Sequence, residues 1–598
     1  MSAVATQDDR LGAIETPLGE DALLLRAFEG EEALSGGYAY RATVEPREAT
    51  VDLAPLLGAP VAVLLARLDG EDRAFRGIVT SVTVSSSDAT RTLVIEPWFA
   101  LLGHARDSRV YRELDVVGVV DEVFARHGAV ARHEWRLTES YPELDFVVQY
   151  DEADDAFVSR LLERFGIYWF VEHDGHGEDH VMVLADHASA HEPAPGQATL
   201  PYDPDPGNAR RDEELVHAWH REARYAAGRA AVRAHDWRKT HTRLEASESW
   251  TDPDTGFAGE MEQYRYPGGF TTAAEAARRA RARAEALRRS GSRIVAETTA
   301  RGPAVGQTIE LAGHDDPAQD GAYLVAGSRC RFGATGYRSG QAAEGFACAL
   351  ELVDLDAPFR PPEATPRPHL HGVHTATVTG PDGEEIWTDE HGCVRLKFPW
   401  DRSDHAGERA SGWVRVSQRH AGRGFGASDV PRVGEEVLVE FVEGDPDRPV
   451  VVGRVHNDFN APTEDLPARA AVTGMRGAST PGGGGYNEWR FDDRKGEESF
   501  ALRAEKDMTL LVQNDLTRTV DNAERSTIGA DREIEVGGAQ RTDVTGTIDV
   551  AANGAVTIES AVSITLKAAG STIELGPAGI TIETGAVVTV KGSLVRLN

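Results

Sequence analysis

Between Val512 and Val544 β-branched residues return every eight residues, at Val512, Val520, Ile528, Val536 and Val544. After one step of six the series resumes at Val550, Ile558 and Leu566, and again at Ile582 and Val590. A companion series lies two residues earlier, at Leu510, Ile534, Val556, Ile564, Ile580 and Val588. An α-helix would repeat every 3.6 or 7 residues, and common solenoid coils need about 20 or more. Residues i and i−2 point to the same face of a strand. Each octad therefore offers a short strand with an apolar pair on one side. A turn follows, often holding glycine, as at Gly529, Gly537, Gly554 and Gly585. The pattern has gaps, since Arg518, Ser526 and Thr542 occupy companion positions. Near "STIELGPAGI" the apolar residues move to Ile573 and Leu575, where a local bulge is expected.

A strand of about five residues with two apolar side chains cannot bury them alone. A single-chain β-helix needs roughly 20 residues to pass round three faces, and an octad supplies about one face. Three chains can supply three faces, each chain moving to the next face at every turn. The repeat thus predicts a triple-stranded, intertwined β-prism in a homotrimer, with Val512, Val520, Ile528, Val536, Val544, Val550, Ile558, Leu566, Ile582 and Val590 in its core. No Phe, Tyr, Trp, His or Cys follows Phe500, so only small and β-branched side chains fill that core. Roughly twelve octads at ~4.8 Å per layer make a prism at least ~55 Å long. Such a needle has no free sheet edge along its sides. Lacking His and Cys, it also lacks the usual general base and thiol nucleophile. A disordered tail would not keep β-branched residues in register. A polysaccharide-active β-solenoid enzyme is the alternative from a different class. It requires longer coils and an acid cluster, whereas only Glu559, Glu574 and Glu583 follow Asp549.

The preceding part of the chain reads as several domains, as 598 residues lead one to expect. A formal net charge of −34 opposes a nucleic-acid surface, which needs clustered Lys and Arg. The Ala- and Arg-rich "TTAAEAARRARARAEALRRSG" is accordingly read as a helix with a solvated basic face. Cys330, Cys348 and Cys393 make no disulfide framework, which suits a reducing compartment. The N-terminal residues lack a basic segment followed by an apolar core, and no run of about 18 apolar residues occurs. A soluble chain, cytoplasmic when made and exported without a signal peptide if at all, is expected.

Residues 1–365 read as strands with a few helices. In "DDAFVSRLLERFG" Phe157, Val158, Leu161, Leu162 and Phe165 form one stripe, with Asp154 as cap and Gly166 at the left-handed end. After the Pro-rich "DAPFRPPEATPRPHLHG", the strands "GCVRLKF", "GWVRVSQ", "EEVLVEF" and "RPVVVGRV" suit a small barrel such as an OB-fold within 366–460. A linker and neck (461–490) lead to the needle (491–598). "GRGFG" (422–426) lacks the Lys-Ser/Thr of a phosphate loop and reads as a barrel loop. His369, His371 and His374 have ligand-like spacing but sit by the Pro-rich linker, so incidental spacing is the expectation. Asp151, Glu152, Asp154 and Asp155 read as a cap and a solvated turn rather than paired catalytic acids. No catalytic residue, metal site or cofactor is expected.

Several stretches then carry a resemblance over essentially the whole chain. They are "FVVQYDEADDAFVSRLLERFGIYWFVEHDG" (146–175), "LAGHDDPAQDGAYLVAGSRC" (311–330), "DEHGCVRLKFPWDR" (389–402), "GWVRVSQRHAGRGFGA" (412–427), "PRVGEEVLVEFVEGDPDRPVVVGRVHN" (431–457) and "YNEWRFDDRKGEESFALRAEKDM" (486–508). In this order, with the terminal octads, the chain resembles the VgrG family of type VI secretion spikes, related to the hub and spike of contractile phage tails. Cys393 stands where the family often shows a basic residue. The resemblance implies a mainly β fold: a phage-hub-like base of β-barrel domains with a few helices, an OB-fold collar and a β-prism needle. It implies a homotrimer on an inner tube of stacked rings and a baseplate, driven outward to puncture a target cell. A PAAR-repeat tip protein and an effector or adaptor are the implied cargo. The hub-spike of a prophage or tailocin is the alternative within the same class of machine. Since the sequence stops at Asn598, no enzymatic domain after the needle is expected. Ser593, Leu594, Val595, Arg596, Leu597 and Asn598 would form a partly apolar end suited to docking the tip protein.

Overall fold

The computed structural model describes residues 6–8, 10–48, 51–85, 89–173, 180–205, 213–251, 256, 259–333 and 345–596. It divides into two compact units, 1–507 and 508–598.

Alternating apolar and polar residues give the first unit long antiparallel strands. Its main sheet runs in the order Gly12–Glu15, Pro60–Ala66, Asp72–Val84, Arg91–Glu96, Gly37–Pro46, Leu23–Ala33, Gly321–Gly333, Gly345–Asp354, Ser292–Thr298 and Val216–Ala223. Leu23–Ala33 thus pairs with a strand from the far end of the hub, Gly30 lying opposite Cys330 and Ala33 opposite Gly327. The core against this sheet is aromatic. Phe28 lies 4.7 Å from Phe75 and 4.8 Å from Phe332, and Tyr38 stacks on Tyr40 at 4.3 Å.

A second core forms where the helices Val116–Ala125 and Asp154–Phe165 meet the strands His133–Arg136, Tyr168–His173 and His180–Ala185. Phe157, Val158, Leu161 and Leu162 are buried there, and Gly166 ends the helix at φ 72°. The expected cap is corrected: Ala153 precedes the helix and no side chain caps it, because Asp154 turns inward to ion-pair partners. The basic helix is corrected too. Ala273–Gly291 begins with a Thr272/Glu275 capping box and buries Ala276, Ala280 and Ala284. Of its arginines, Arg279 donates to the Gly268 carbonyl and lies over Phe165, while Arg283 pairs with Glu363 at 2.7 Å. Those two pack their stems on the hub instead of standing in water, whereas Arg281, 56% exposed, keeps the solvated face expected of the helix.

His191 shows how this interior responds to acid. It stacks on Tyr168, and its ring nitrogens meet the Gly306 carbonyl and the Tyr168 hydroxyl, each at 2.8 Å. Burial pushes its pKa down to about 4. The neutral ring is the folded form, so its stabilisation is complete above the unfolded value of about 6.5 and is lost as pH falls from there toward 4. The cost accumulated by pH 4 is about 3 kcal/mol. Denaturant titrations between pH 7 and 4 should show this slope, and His191→Gln should flatten it.

The barrel sheet runs Arg395–Lys397, His374–Thr379, Glu436–Phe441, Pro449–Arg454, Arg415–Val416. Leu396, Phe398, Val437, Val439 and Val451 fill it. Val110 and Val148, from the hub strands Arg106–Tyr111 and Val147–Ala153, enter the same core. Beyond it, the stretch read as a linker holds a strand. Val472–Arg476 pairs with Glu488–Asp492, which pairs with Ser499–Arg503, so one neck sheet spans the 490/491 division.

In the second unit, described residues 508–563 carry no strand of their own. Ile564–Ala568, Ser571–Gly576 and Gly579–Glu583 form a three-stranded antiparallel meander. The expected bulge at Ile573 and Leu575 is therefore corrected to a pair of hairpins.

Candidate functional site: the octad stripe and the hub–barrel clasp

The ten octad positions all face outward in the isolated chain, from Val512 at 41% exposed to Val550 at 76%. Along 508–563 neither their side chains nor their backbone groups are covered by a sheet within the chain. Backbone amides and apolar side chains without partners do not make a stable fold. The stripe therefore defines a surface that another strand must cover. Leu594 and Val595 are exposed, as are Ser593 and Arg596; Leu597 and Asn598 lie outside the described residues.

The hub and barrel are held by a buried charge cluster at the turn "EGDPDRP". Asp445 and Asp447 both accept from the Arg367 guanidinium, and Arg164 reaches Asp447 at 3.3 Å. Val148 N–H donates to Asp447 Oδ1 at 2.8 Å. Next to them Arg160 donates to Glu152 at 2.6 Å and to the Val148 carbonyl at 2.8 Å. Burial drives the Asp447 carboxyl upward, but Arg367 and Arg164 outweigh it and hold the group below its ordinary value. Burial, then the neighbouring Asp447 charge, raises Asp445. The acids at 152 and 154, read as part of a solvated turn and a helix cap, are thus corrected to buried ion-pair partners. Asp154 takes Arg126 at 2.9 Å and His127 at 2.7 Å. The sequence signal for the clasp was only a turn, because its cations arrive from a helix and the Pro-rich linker.

The remaining motifs separate. "GRGFG" is an exposed hairpin in which Ala421–Gly422 pairs with Phe425–Gly426. His369 and His371 lie ring to ring at 4.3 Å, whereas His374 packs on Tyr150 and Phe441. Among the described residues no cluster of three or more His, Cys, Asp or Glu could hold a metal ion. No described helix is long and apolar enough to cross a membrane.

A strand-rich hub, a five-stranded barrel and an octad stripe define a hub-and-spike protein of contractile injection machines. Residues 31–335 match the phage tail baseplate hub (GPD) family, and 384–456 the type VI secretion system/phage-baseplate injector OB domain. Residues 473–578 match the bacteriophage T4 gp5 C-terminal trimerisation domain. Two spike proteins of Pseudomonas aeruginosa, VgrG1b and VgrG1a, are each 35% identical. The alignments cover 84% and 83% of this chain and 68% and 78% of those proteins. The solved structure of the E. coli c3393 protein, a component of the type VI secretion system similar to T4 tail proteins gp27 and gp5, shares the fold. It aligns with a TM-score of 0.51 at 20% identity, covering 72% of this chain and 97% of that one. The chain belongs to the VgrG family of type VI secretion system spike proteins.

Proposed function

We propose that three copies of this chain, each divided into hub (1–365), barrel (366–460), neck (461–490) and needle (491–598), form a spike that caps the inner tube and punctures the target envelope. The observation that carries this reading is the octad stripe, apolar and along 508–563 without a strand partner in its own chain, within a segment that matches a trimerisation family. Three such stripes facing one axis cover each other, and each chain's backbone pairs with the other two. The role is mechanical: the work comes from sheath contraction, and the prism transmits force because its ladders close on themselves. The spike is assembled in the cytoplasm and leaves through the apparatus, carrying a PAAR-repeat tip protein and effector or adaptor cargo.

Light scattering on the purified chain tests the assembly. The expected mass is three times 64.6 kDa. A folded monomer with an intact C-terminal region would defeat the reading.

Tip docking is assigned to residues 593–598, where Leu594 and Val595 present exposed apolar surface. Deleting Ser593–Asn598 should leave the trimer intact and abolish co-purification of the tip protein. Full-strength binding by the shortened spike would place the docking surface elsewhere.

A further inference from the structure

The meander at 564–583 departs from the octads in a way that changes how the chain travels. In register, Ile564 faces Leu575, which faces Ile580; Leu566 faces Ile573, which faces Ile582. Opposed residues share a sheet face, as do residues two apart along a strand. One face of the meander therefore carries six aliphatic side chains, with polar groups only at its edge, where Ser571, opposite Ala568, meets Thr584 at 2.9 Å. The other carries Thr565, Glu574 and Thr581 in one row and Lys567, Thr572 and Glu583 in the next. The aliphatic face has nothing over it in the isolated chain: Ile580 is 69% exposed and Leu566 56%.

The turns decide the path. Ala569 and Gly570 both have positive φ, 44° and 88°, between the paired Ala568 and Ser571. This is a two-residue turn of the mirror-image type, which returns a strand beside its predecessor. Pro577 and Ala578 make the second reversal between Gly576 and Gly579. Such turns cannot carry the chain to a neighbouring face of a prism. The spacing agrees: the apolar pairs begin at Ile564, Ile573 and Ile580, steps of nine and seven where the octads keep eight apart from one step of six. The neck sheet follows the same plan with bulkier residues, Trp489 facing Met475 on one side and Leu502 on the other, and Phe491 stacked on Phe500 at 4.9 Å.

We propose that residues 564–583 stop the wrapping of the prism and form a register clamp, each chain contributing one in-chain three-stranded sheet whose aliphatic face is covered by the same sheet of two further copies. The occupant follows from continuity. Each strand has the length and the inward apolar pair of an octad, so three meanders preserve the triangular section of the wrapped stripe beside them. The function follows from uniqueness. On either side of the single step of six between Val544 and Val550 the octads repeat, so there three chains could align one period out of step, as repetitive strands do when their register is weakly pinned. The steps of nine and seven occur once and mate in one register. Contacts so local can form before the chains wrap.

The choice of copies as occupant rests on the trimer reading; the in-chain meander does not. Two variants of the full chain separate them, treated with a short bismaleimide, since the three native cysteines are buried. Thr572→Cys with Glu583→Cys, on the polar face, should cross-link within one chain and run as a single chain on a denaturing gel. Cross-linking between chains would mean that the chain wraps through this segment, and the clamp falls. Ile573→Cys, on the aliphatic face, should give linked pairs of chains. A sample that is trimeric by light scattering yet unlinked at Ile573→Cys overturns the occupant alone. A monomeric sample overturns both the occupant and the trimer reading.

Discussion

Ile528→Asp and Val536→Asp are each expected to abolish the stable trimer. In the proposed prism one substitution places three carboxylates around one axis, in a core of aliphatic side chains. A buried carboxylate without a partner costs several kcal/mol, and here three like charges add repulsion, so the groups protonate or the chains separate. The isolated chain loses nothing, because both positions are exposed in it. The effect should therefore appear as dissociation and loss of secretion, with the hub still folded. Its pH dependence has a definite sign. A carboxyl that folds only when protonated has a raised folded pKa, so the variants should regain stability as pH falls toward the ordinary value of about 3.9. Arg532→Ser, at a polar position between the two, is the control and should be silent. Analytical ultracentrifugation from pH 7 to pH 4 measures all three. Aspartates as silent as the serine would show that these positions do not face the axis.

The second large effect belongs to the clasp. Asp447→Ala leaves Arg164 and Arg367 with one fewer counter-charge and strips Val148 N–H of its acceptor. Breaking a buried ion pair by removing one partner costs about 3–5 kcal/mol. Because Val148 contributes to the barrel core from a hub strand, the loss should loosen hub and barrel together, lowering the denaturant midpoint of the first unit. Asp447→Asn should recover only part, since its carbonyl can still accept from Val148 while the charge is gone. Arg402→Ala removes a pair with Asp107 at 3.1 Å whose arginine is 69% exposed, and should cost less than about 1 kcal/mol. Equal losses for Asp447→Ala and Arg402→Ala would mean that burial does not govern this junction.

The chain's spike character was legible because it is written in short-range patterns. A strand's two faces alternate every residue, so an eight-residue recurrence of Val and Ile announces short strands with one wet side. The absence of aromatics after Phe500 limits how thick their core can be. Gly166 at a left-handed helix end is equally local, and it stands where the sequence places it. The errors fell where a side chain's partner is remote. Asp154 looked like a cap because its neighbours in sequence form a helix; Arg126, His127 and Gln149 claim it instead. Arg279 and Arg283 looked solvated because nothing nearby in sequence could receive them.

What the sequence by itself determined is the mainly β character of the chain, the octad stripe and the family to which it belongs, all consequences of periodicity and local motif. Only the tertiary structure decided that Leu23–Ala33 pairs with Gly321–Gly333, that Asp445 and Asp447 meet Arg164 and Arg367, and that residues 564–583 turn back on themselves. The first two depend on long loops closing, a choice that no window of residues records. The third depended on two positive-φ residues at Ala569 and Gly570, where an alanine hid the turn that the backbone makes.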